Sequence, residues 1–321
     1  MAQRFTLGEI RTRTYKDRDA WWTVWLVDPL ASRLVWLVAP YRWITPNRLT
    51  FAAFLFGVGA AACYWQQTWG WLIAGAVLFH LSFVIDCMDG KIARLNGTGS
   101  VFGAWLDYVF DRLRVLVCTV ALMGGQYART GDFLYVWLAG IVIFLDMFRY
   151  LNALQMGKVK DEMRVRLAAA RGDGSQQPVF LEEANVQHPA GRGTAEDENS
   201  KIDKYGVERP VVDVYGDFRS RFGAFVKMRN LLVGQRIRAH VFSGIEFQMF
   251  VFIVGPVTGW IAGTTLISAG LLVAFELLLI VKLWTATRGY AKHLAAATTE
   301  STGNPAPAQA GPPLSPVPAT R

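Results

Sequence analysis

The chain has 321 residues, 52% of them hydrophobic, with twelve Trp and twenty Phe, and its mean hydropathy is +0.25. A soluble domain of this length has no use for so much apolar surface, so the composition is that of a bundle of membrane helices. A net charge of +8 points to anionic lipid or a phosphorylated substrate. Nucleic acid is set aside, because Lys and Arg lie between and beside hydrophobic runs rather than along one amphipathic face.

Met1 to Asp19 mixes basic and acidic residues with no apolar core or small-residue cleavage site, so it does not read as a secretory signal. Asp19–Pro40 holds Trp21, Trp22, Trp25 and Trp36 together with Asp28, Pro29 and Arg33. A proline and two charges argue against crossing a bilayer, and tryptophans favour the headgroup region, so an interfacial helix lying on the membrane is expected. Six stretches are then long and apolar enough to span: Leu49–Gln66, Thr68–Ile85, Phe102–Gly125, Phe133–Met156, Val241–Trp260 and Thr264–Thr285. The expected fold class is all-α, an integral membrane bundle of six transmembrane helices with an N-terminal interfacial helix.

The chain divides accordingly. Residues 1–48 form a cytoplasmic N-terminus with the interfacial helix, and 49–156 the first four spans. Residues 157–240 form a long basic and flexible connection, 241–286 the last two spans and 287–321 a disordered tail. Within the connection, Arg171–Ser200 is rich in Gly, Gln, Glu and Asp and reads as flexible, Tyr205–Phe218 suits a short strand or hairpin, and Arg219–Arg238 suits a helix at the lipid surface. Lys227, Arg229, Arg236 and Arg238 read as headgroup or orientation residues, with an acceptor phosphate site as the alternative. Nearly all Lys and Arg lie in the N-terminus, around Lys91 and Arg94, in Lys158–Arg238 and after Lys282; the opposite connections hold only Arg129. The positive-inside rule therefore places both termini and these segments in the cytoplasm. The three cysteines, Cys63, Cys87 and Cys118, are widely spaced, show no metal-ligand or disulfide pattern and read as core thiols.

At the cytoplasmic end of the second span the chain reads Asp86-Cys-Met-Asp89-Gly90-Lys-Ile-Ala93-Arg94, and Gly103, Asp107 and Asp111 follow. Asp86 and Asp89 share a helix face at i and i+3, as do Asp107 and Asp111 at i and i+4. Asn96-Gly-Thr-Gly-Ser100 between them has glycines to end one helix and Ser100 to cap the next. An antiparallel pair joined there turns two carboxylates toward two. One central intramembrane Asp costs roughly 2.5–3.5 kcal/mol. Four together repel one another and need cations, and hard oxygen ligands suit magnesium or manganese. Neutralisation by Lys91, Arg94, Arg112 and Arg114 would account for the charge but not for the spacing or the glycines.

The run D-x-x-D-G-x-x-A-R-x8-G-x-x-x-D-x-x-x-D resembles the signature of the CDP-alcohol phosphotransferases, and residues 86–111 match every fixed position. Thr45-Pro46-Asn47-Arg48-Leu49-Thr50 also looks like the family's lead into its first span. The resemblance covers residues 15–156; the last two spans agree only in number, and the 157–240 connection departs from compact members. It implies two Mg2+ or Mn2+ ions held by Asp86, Asp89 and Asp107 on a CDP diphosphate. Asp111 would be a metal neighbour and the general base. Nucleotide contacts would come from Asp86, Gly90, Ala93, Arg94, Gly103 and Asp107. It also implies a CDP-alcohol donor and an alcohol acceptor, at least one of them a lipid, in phospholipid biosynthesis at a prokaryotic plasma membrane, with the site facing the cytoplasm.

Two chemical variants stay open. In one, CDP-diacylglycerol meets a small polar alcohol such as glycerol phosphate, inositol phosphate or serine; this one is favoured. In the other, a CDP-linked headgroup is transferred to a lipid alcohol. Rivals from other classes are a cation-linked transporter, which would spread its acids through the membrane depth, and a dead scaffold, which would have lost an aspartate. Arg149 is a candidate for an acceptor phosphate or an ordinary snorkelling arginine, with Asp146 a candidate partner. Glu246 and Glu276 either line the acceptor cavity or bond between helices. His80 reads as a packing residue. A homodimer is also expected from packing of the outer spans.

Overall fold

The computed structural model describes residues 5–41, 43–171, 178–180, 200–202, 208–215, 235–238 and 242–303. Their elements are α1 (Leu7–Thr14), α2 (Asp28–Val38), α3 (Pro46–Trp65), α4 (Trp69–Asn96), α5 (Val101–Thr130) and α6 (Leu134–Ala170). The short strands β1 (Val179–Phe180), β2 (Ser200–Ile202) and β3 (Glu208–Val212) follow, then α7 (Gly244–Met249), α8 (Gly255–Thr258) and α9 (Ile261–Gly303). Contacts divide the chain into two units: Met1–Met156 with Arg219–Leu283, and Gly157–Phe218 with Trp284–Arg321.

In the first unit α3 packs along both α4 and α5, while α1, α2 and α8 rest on α4. One continuous core runs from Ile10 through Tyr64, Phe79 and Leu122 to Phe252 and Phe275. Two π-helical turns, Thr23–Val27 and Phe250–Val254, each precede a proline-started helix, with Pro29 and Pro256 at the first turn. Proline has no N–H for the carbonyl four residues back. At Pro256 that carbonyl belongs to Phe252, and the buried hydroxyl of Tyr64 donates to it instead. The Tyr64 and Phe252 rings also stack, with centroids 6.4 Å apart, and Phe79 lies tilted against Phe252 at 4.7 Å.

In the second unit β3 lies between β1, to which it runs parallel, and β2, to which it runs antiparallel, in register Ser200↔Pro210 and Val179↔Val211. Its core is Met163, Leu167, Phe180, Val212, Val214, Tyr215 and Ala286. Strand β3 lies within the stretch expected to form a strand or hairpin. The expected surface helix over 219–238 falls outside the described residues except for 235–238, as do most of 171–200 and all of 304–321.

Among the described residues, four helices are long and apolar enough to cross a membrane: α3, α4, α6 and α9. In the most apolar 18-residue windows of α6 and α9 only 22% and 28% of residues are buried, and Trp137, Phe144, Leu266 and Leu271 face outward. A soluble monomer rarely exposes apolar patches beyond a few hundred Å². Apolar faces on this scale belong to a membrane protein, with lipid as their solvent.

The other two expected spans are helical but do not meet both criteria. α5 carries Asp107, Asp111, Arg112 and Arg114 in its first half, and Gly244–Thr258 is short. Two helices also outrun their apolar stretches. α6 continues to Ala170, with Asp161–Arg164 (2.5 Å) and Glu162–Arg166 pairs on successive turns. α9 continues to Gly303, because Ala291 and Ala295 to Ala297 favour helix and no proline intervenes before Pro305. The tail expected from 287 thus begins as helix.

Candidate functional site

The corner between α4 and α5 is set by local sequence. Gly97 ends α4 in the left-handed region at φ 64°, and its N–H closes on the carbonyl of Ala93. Ser100 then caps α5, its hydroxyl accepting from the N–H of Gly103 at 2.9 Å. Gly103 is small for a reason: a Cβ there would lie 2.9 Å from Oδ1 of Asn47, at the start of α3. The corner brings Asp86, Asp89 and Asp107 together, with one carboxylate oxygen from each within 4.8 Å of the others. Thr50 on α3 donates its hydroxyl to Oδ2 of buried Asp89 and fixes that carboxylate.

Asp111 stands one turn further along α5, outside this triad. Arg114, only 2% exposed, holds it through Nη2. The same guanidinium lies 3.5 Å from Asp86 Oδ1 and donates to Ser82 Oγ at 3.2 Å, while Ser82 donates to the carbonyl of Ala53 at 2.6 Å. Arg114 thus fastens Asp111 to Asp86 and both to α3. Its stem passes over Gly57, where a Cβ would stand 2.7 Å from Arg114 Cγ.

These groups line a cavity of about 300 Å³. Asp86, Asp89, Gly90, Arg94, Asp107 and Asp111 are in its wall; Ala93 and Gly103 sit on the same helices but not in the wall. Arg94 is exposed and anchors to α1 through the Thr14 carbonyl, 3.0 Å from Nε. Lys91 faces away from the triad to buried Asp28, at 2.7 Å.

A second cavity of about 190 Å³ adjoins the first. Arg112, Arg238, Ile245 and Gln248 line both, and Arg149, Tyr150 and Asp146 belong to the second alone. Each of its three arginines has an acid behind it. Arg112 bonds Asp146, Arg149 Nη1 lies 3.1 Å from Glu276 Oε1, and Arg238 Nη2 lies 3.4 Å from Asp19 Oδ1. Asp146 therefore pairs with Arg112 rather than with Arg149, and it also accepts from Gln248 Nε2 at 2.8 Å. Of the two glutamates, Glu276 joins helices by accepting from Asn152. Glu246 caps its own helix at Ser243, with bonds of 2.9 and 2.7 Å. His80 packs against the Trp22 ring at 6.3 Å. Lys227 and Arg229 lie outside the described residues.

Sequence reasoning gave no site role to Thr50, Asn47, Arg114, Lys16, Asp19 or Gln248. Arg114 carried a signal, since it is i+3 from Asp111 on the same face, and Thr50 ends the Thr45–Thr50 run. Asn47 lies in the same run, and nothing local marks Gln248.

The donor set fits a divalent cation. It is all oxygen, partly buried and clustered, and ligands of one magnesium at about 2.1 Å lie up to about 4.2 Å apart, so a small inward movement of the triad would seat an ion.

Residues 43–170 match the family model described as CDP-alcohol phosphatidyltransferase. Among curated proteins, the chain is 38% identical over 88 residues to the phosphatidylinositol phosphate synthase of Corynebacterium glutamicum, covering 27% of this chain and 37% of that protein. It is 34% identical over 101 residues to the archaetidylinositol phosphate synthase of Methanothermobacter thermautotrophicus, covering 32% and 46%. It is 32% identical over 109 residues to a CDP-diacylglycerol–glycerol-3-phosphate 3-phosphatidyltransferase of Cereibacter sphaeroides, covering 33% and 48%. The matches thus span less than half the length of each of these relatives.

Proposed function

We propose that the protein, whose residues 43–170 match the CDP-alcohol phosphatidyltransferase family model, transfers a phospho-alcohol group from a CDP-alcohol to an acceptor hydroxyl, releasing CMP, in phospholipid biosynthesis. The observation that carries this reading is the convergence of Asp86, Asp89 and Asp107 beside a separately held Asp111. Three acids are grouped to bind metal, and the fourth is kept apart from them.

In this reading α3 to α6, the α7–α8 segment and α9 all span the membrane. The Thr23–Val27 turn and α2 lie in the headgroup layer with Trp25 and Trp36 outward. The site and both termini face the cytoplasm, as the basic residues require. Asp86, Asp89 and Asp107 would hold the Mg2+ or Mn2+, whose charge would neutralise the diphosphate oxygens and stabilise the leaving CMP. Gly90, where the nearest neighbour of a Cβ built there is the Arg94 guanidinium at 3.4 Å, leaves space for the nucleotide. Asp111 takes the acceptor proton as the hydroxyl oxygen bonds to the β-phosphorus and the P–O bond to CMP breaks. Arg114 holds that carboxylate in place and aimed.

The three arginines of the second cavity favour a small anionic acceptor with CDP-diacylglycerol as the donor, over transfer of a headgroup to a lipid alcohol. Arg149 is then an acceptor residue, held in place by Glu276.

The test is CMP release by purified protein with magnesium or manganese, crossing CDP donors with polar and lipid acceptors. Asp111→Asn should abolish turnover and leave CDP binding, read by calorimetry, within a few-fold of wild type. Full activity in that variant would remove Asp111 as the base, and no CMP with any pair would remove the reaction.

A further inference from the structure

The described end of the long 157–240 connection is stitched to the N-terminal segment beside the two cavities. Asp19 N–H donates to the Arg236 carbonyl at 2.9 Å, and Arg238 N–H donates to the Asp19 carbonyl at 2.9 Å. This makes one parallel bridge between Asp19 and Ile237, and the Ile237 side chain is fully buried. Arg236 has φ 62°, a left-handed conformation that residues other than glycine rarely adopt unless their surroundings hold them there.

The surroundings do hold Arg236. Its guanidinium donates to the Lys16 carbonyl at 2.8 Å, lies 3.3 Å from Asp28 Oδ2 and stacks over the Tyr15 ring at 4.4 Å. Asp28 gives its other oxygen to Lys91 at 2.7 Å, two residues from Asp89 of the metal-binding triad. One buried carboxylate therefore ties the N-terminal helices, α4 and the end of the connection together.

This arrangement has a consequence two residues on. Arg238 lies in the wall shared by both cavities. Of the two arginines in that wall, Arg112 is hydrogen-bonded to Asp146. Arg238 has the looser pairing, 3.4 Å from Asp19, and the Asp19 oxygen concerned also accepts from the Ala20 N–H. A guanidinium so placed has donors to give to an anion entering the second cavity.

We infer that the Arg236 latch positions Arg238 to bind the anionic group of the acceptor, so that the acceptor side of the site is complete only when the N-terminal segment and the end of the long connection are joined. This rests on the transfer reaction proposed above. Arg238 touches the substrate; Arg236 acts through it and is a positioning residue.

The experiment uses the full-length protein in phosphatidylcholine nanodiscs, which bring no anionic headgroup. The donor is CDP-diacylglycerol, and the acceptor probes are glycerol 3-phosphate and inositol 1-phosphate. Arg238→Gln should raise the acceptor KM about tenfold or more, the loss of roughly one charge-assisted hydrogen bond, and leave the donor KM within about twofold. Arg238→Lys should recover part of the loss, and Arg236→Gln should reproduce it. The double variant should be no worse than Arg238→Gln alone, whereas two independent structural defects would multiply. An unchanged acceptor KM in Arg238→Gln, or multiplicative effects in the pair, overturns the inference. A second readout does not need turnover: either phosphate ester should raise the Tm of the wild type and not that of Arg238→Gln. If no donor and acceptor release CMP but this Tm difference stands, the reaction is wrong and the anion site survives. Equal Tm shifts in both proteins overturn the site.

Discussion

Gly57 offers a sharp test of how the site is held, because it lies on α3, outside the aspartate run. A Cβ at Gly57 would stand 2.7 Å from Arg114 Cγ and 3.0 Å from Cδ. Ordinary contact begins near 3.4 Å, so the arginine stem would have to retreat by about 0.7 Å. Arg114 has little room to do so: it is buried, it bonds Asp111 and Ser82, and it lies 3.5 Å from Asp86. Overpacking of this kind costs about 1–3 kcal/mol. A displacement approaching 1 Å in a group that orients a base costs on the order of 100-fold in rate. Gly57→Ala should therefore lower the kcat for CMP release by roughly one to two orders of magnitude, with a fall of a few degrees in Tm. The control is Gly59→Ala on the same helix, where a Cβ meets only Leu78 at 3.7 Å; it should match wild type. If Gly57→Ala turns over within about twofold of wild type, packing of the Arg114 stem does not hold Asp111, and the account of that residue fails.

Two further outcomes follow from the same contacts. Thr50→Val keeps the shape and removes the hydrogen bond to Asp89, which should cost about 1.5–3 kcal/mol; the readout is a higher metal concentration for half-maximal CMP release, and an unchanged requirement would contradict the role of Thr50. Chelation should stop CMP release and lower the Tm, because clustered carboxylates then lack their cation; restoring metal at about 100 times its Kd should return about 2.7 kcal/mol of stability, and a Tm indifferent to metal would count against the triad as its site.

The corner carrying the acids was legible because every determinant lies within a few residues of its effect. Helical spacing alone puts Asp86 beside Asp89. Gly97 reverses the chain because it has no Cβ, and Ser100 restarts it because its hydroxyl reaches the Gly103 N–H. Spacing also puts Asp107 and Asp111 on one face, but they keep different company, because Arg114, also on that face, reaches Asp111 and leaves Asp107 to the triad. Spacing says which side chains can meet, and the competing partner decides which do.

The second cavity was not legible, and chain separation explains why. Its arginines are set by acids from other elements: Asp146 lies 34 positions from Arg112, Glu276 is on α9 and Asp19 precedes α2. The latch is likewise distant, joining Arg236 to Asp28 across 208 positions. Read alone, Arg149 and Arg238 are indistinguishable from arginines that snorkel to the headgroups. A snorkelling arginine, though, needs no buried acid behind it, and burying a carboxylate is costly unless it is paired. Glu276 is 3% exposed and Asp19 7%, so each acid bears that cost only while its arginine stays. The acids therefore do for the cavity what Arg114 does for Asp111: they fix a charge of opposite sign at one place. The division of the site follows from this. Local spacing builds the half that would hold metal and nucleotide, and long-range ion pairs build the half that would select the acceptor. Changes in the distant acids should thus alter acceptor choice while leaving the metal requirement as it was.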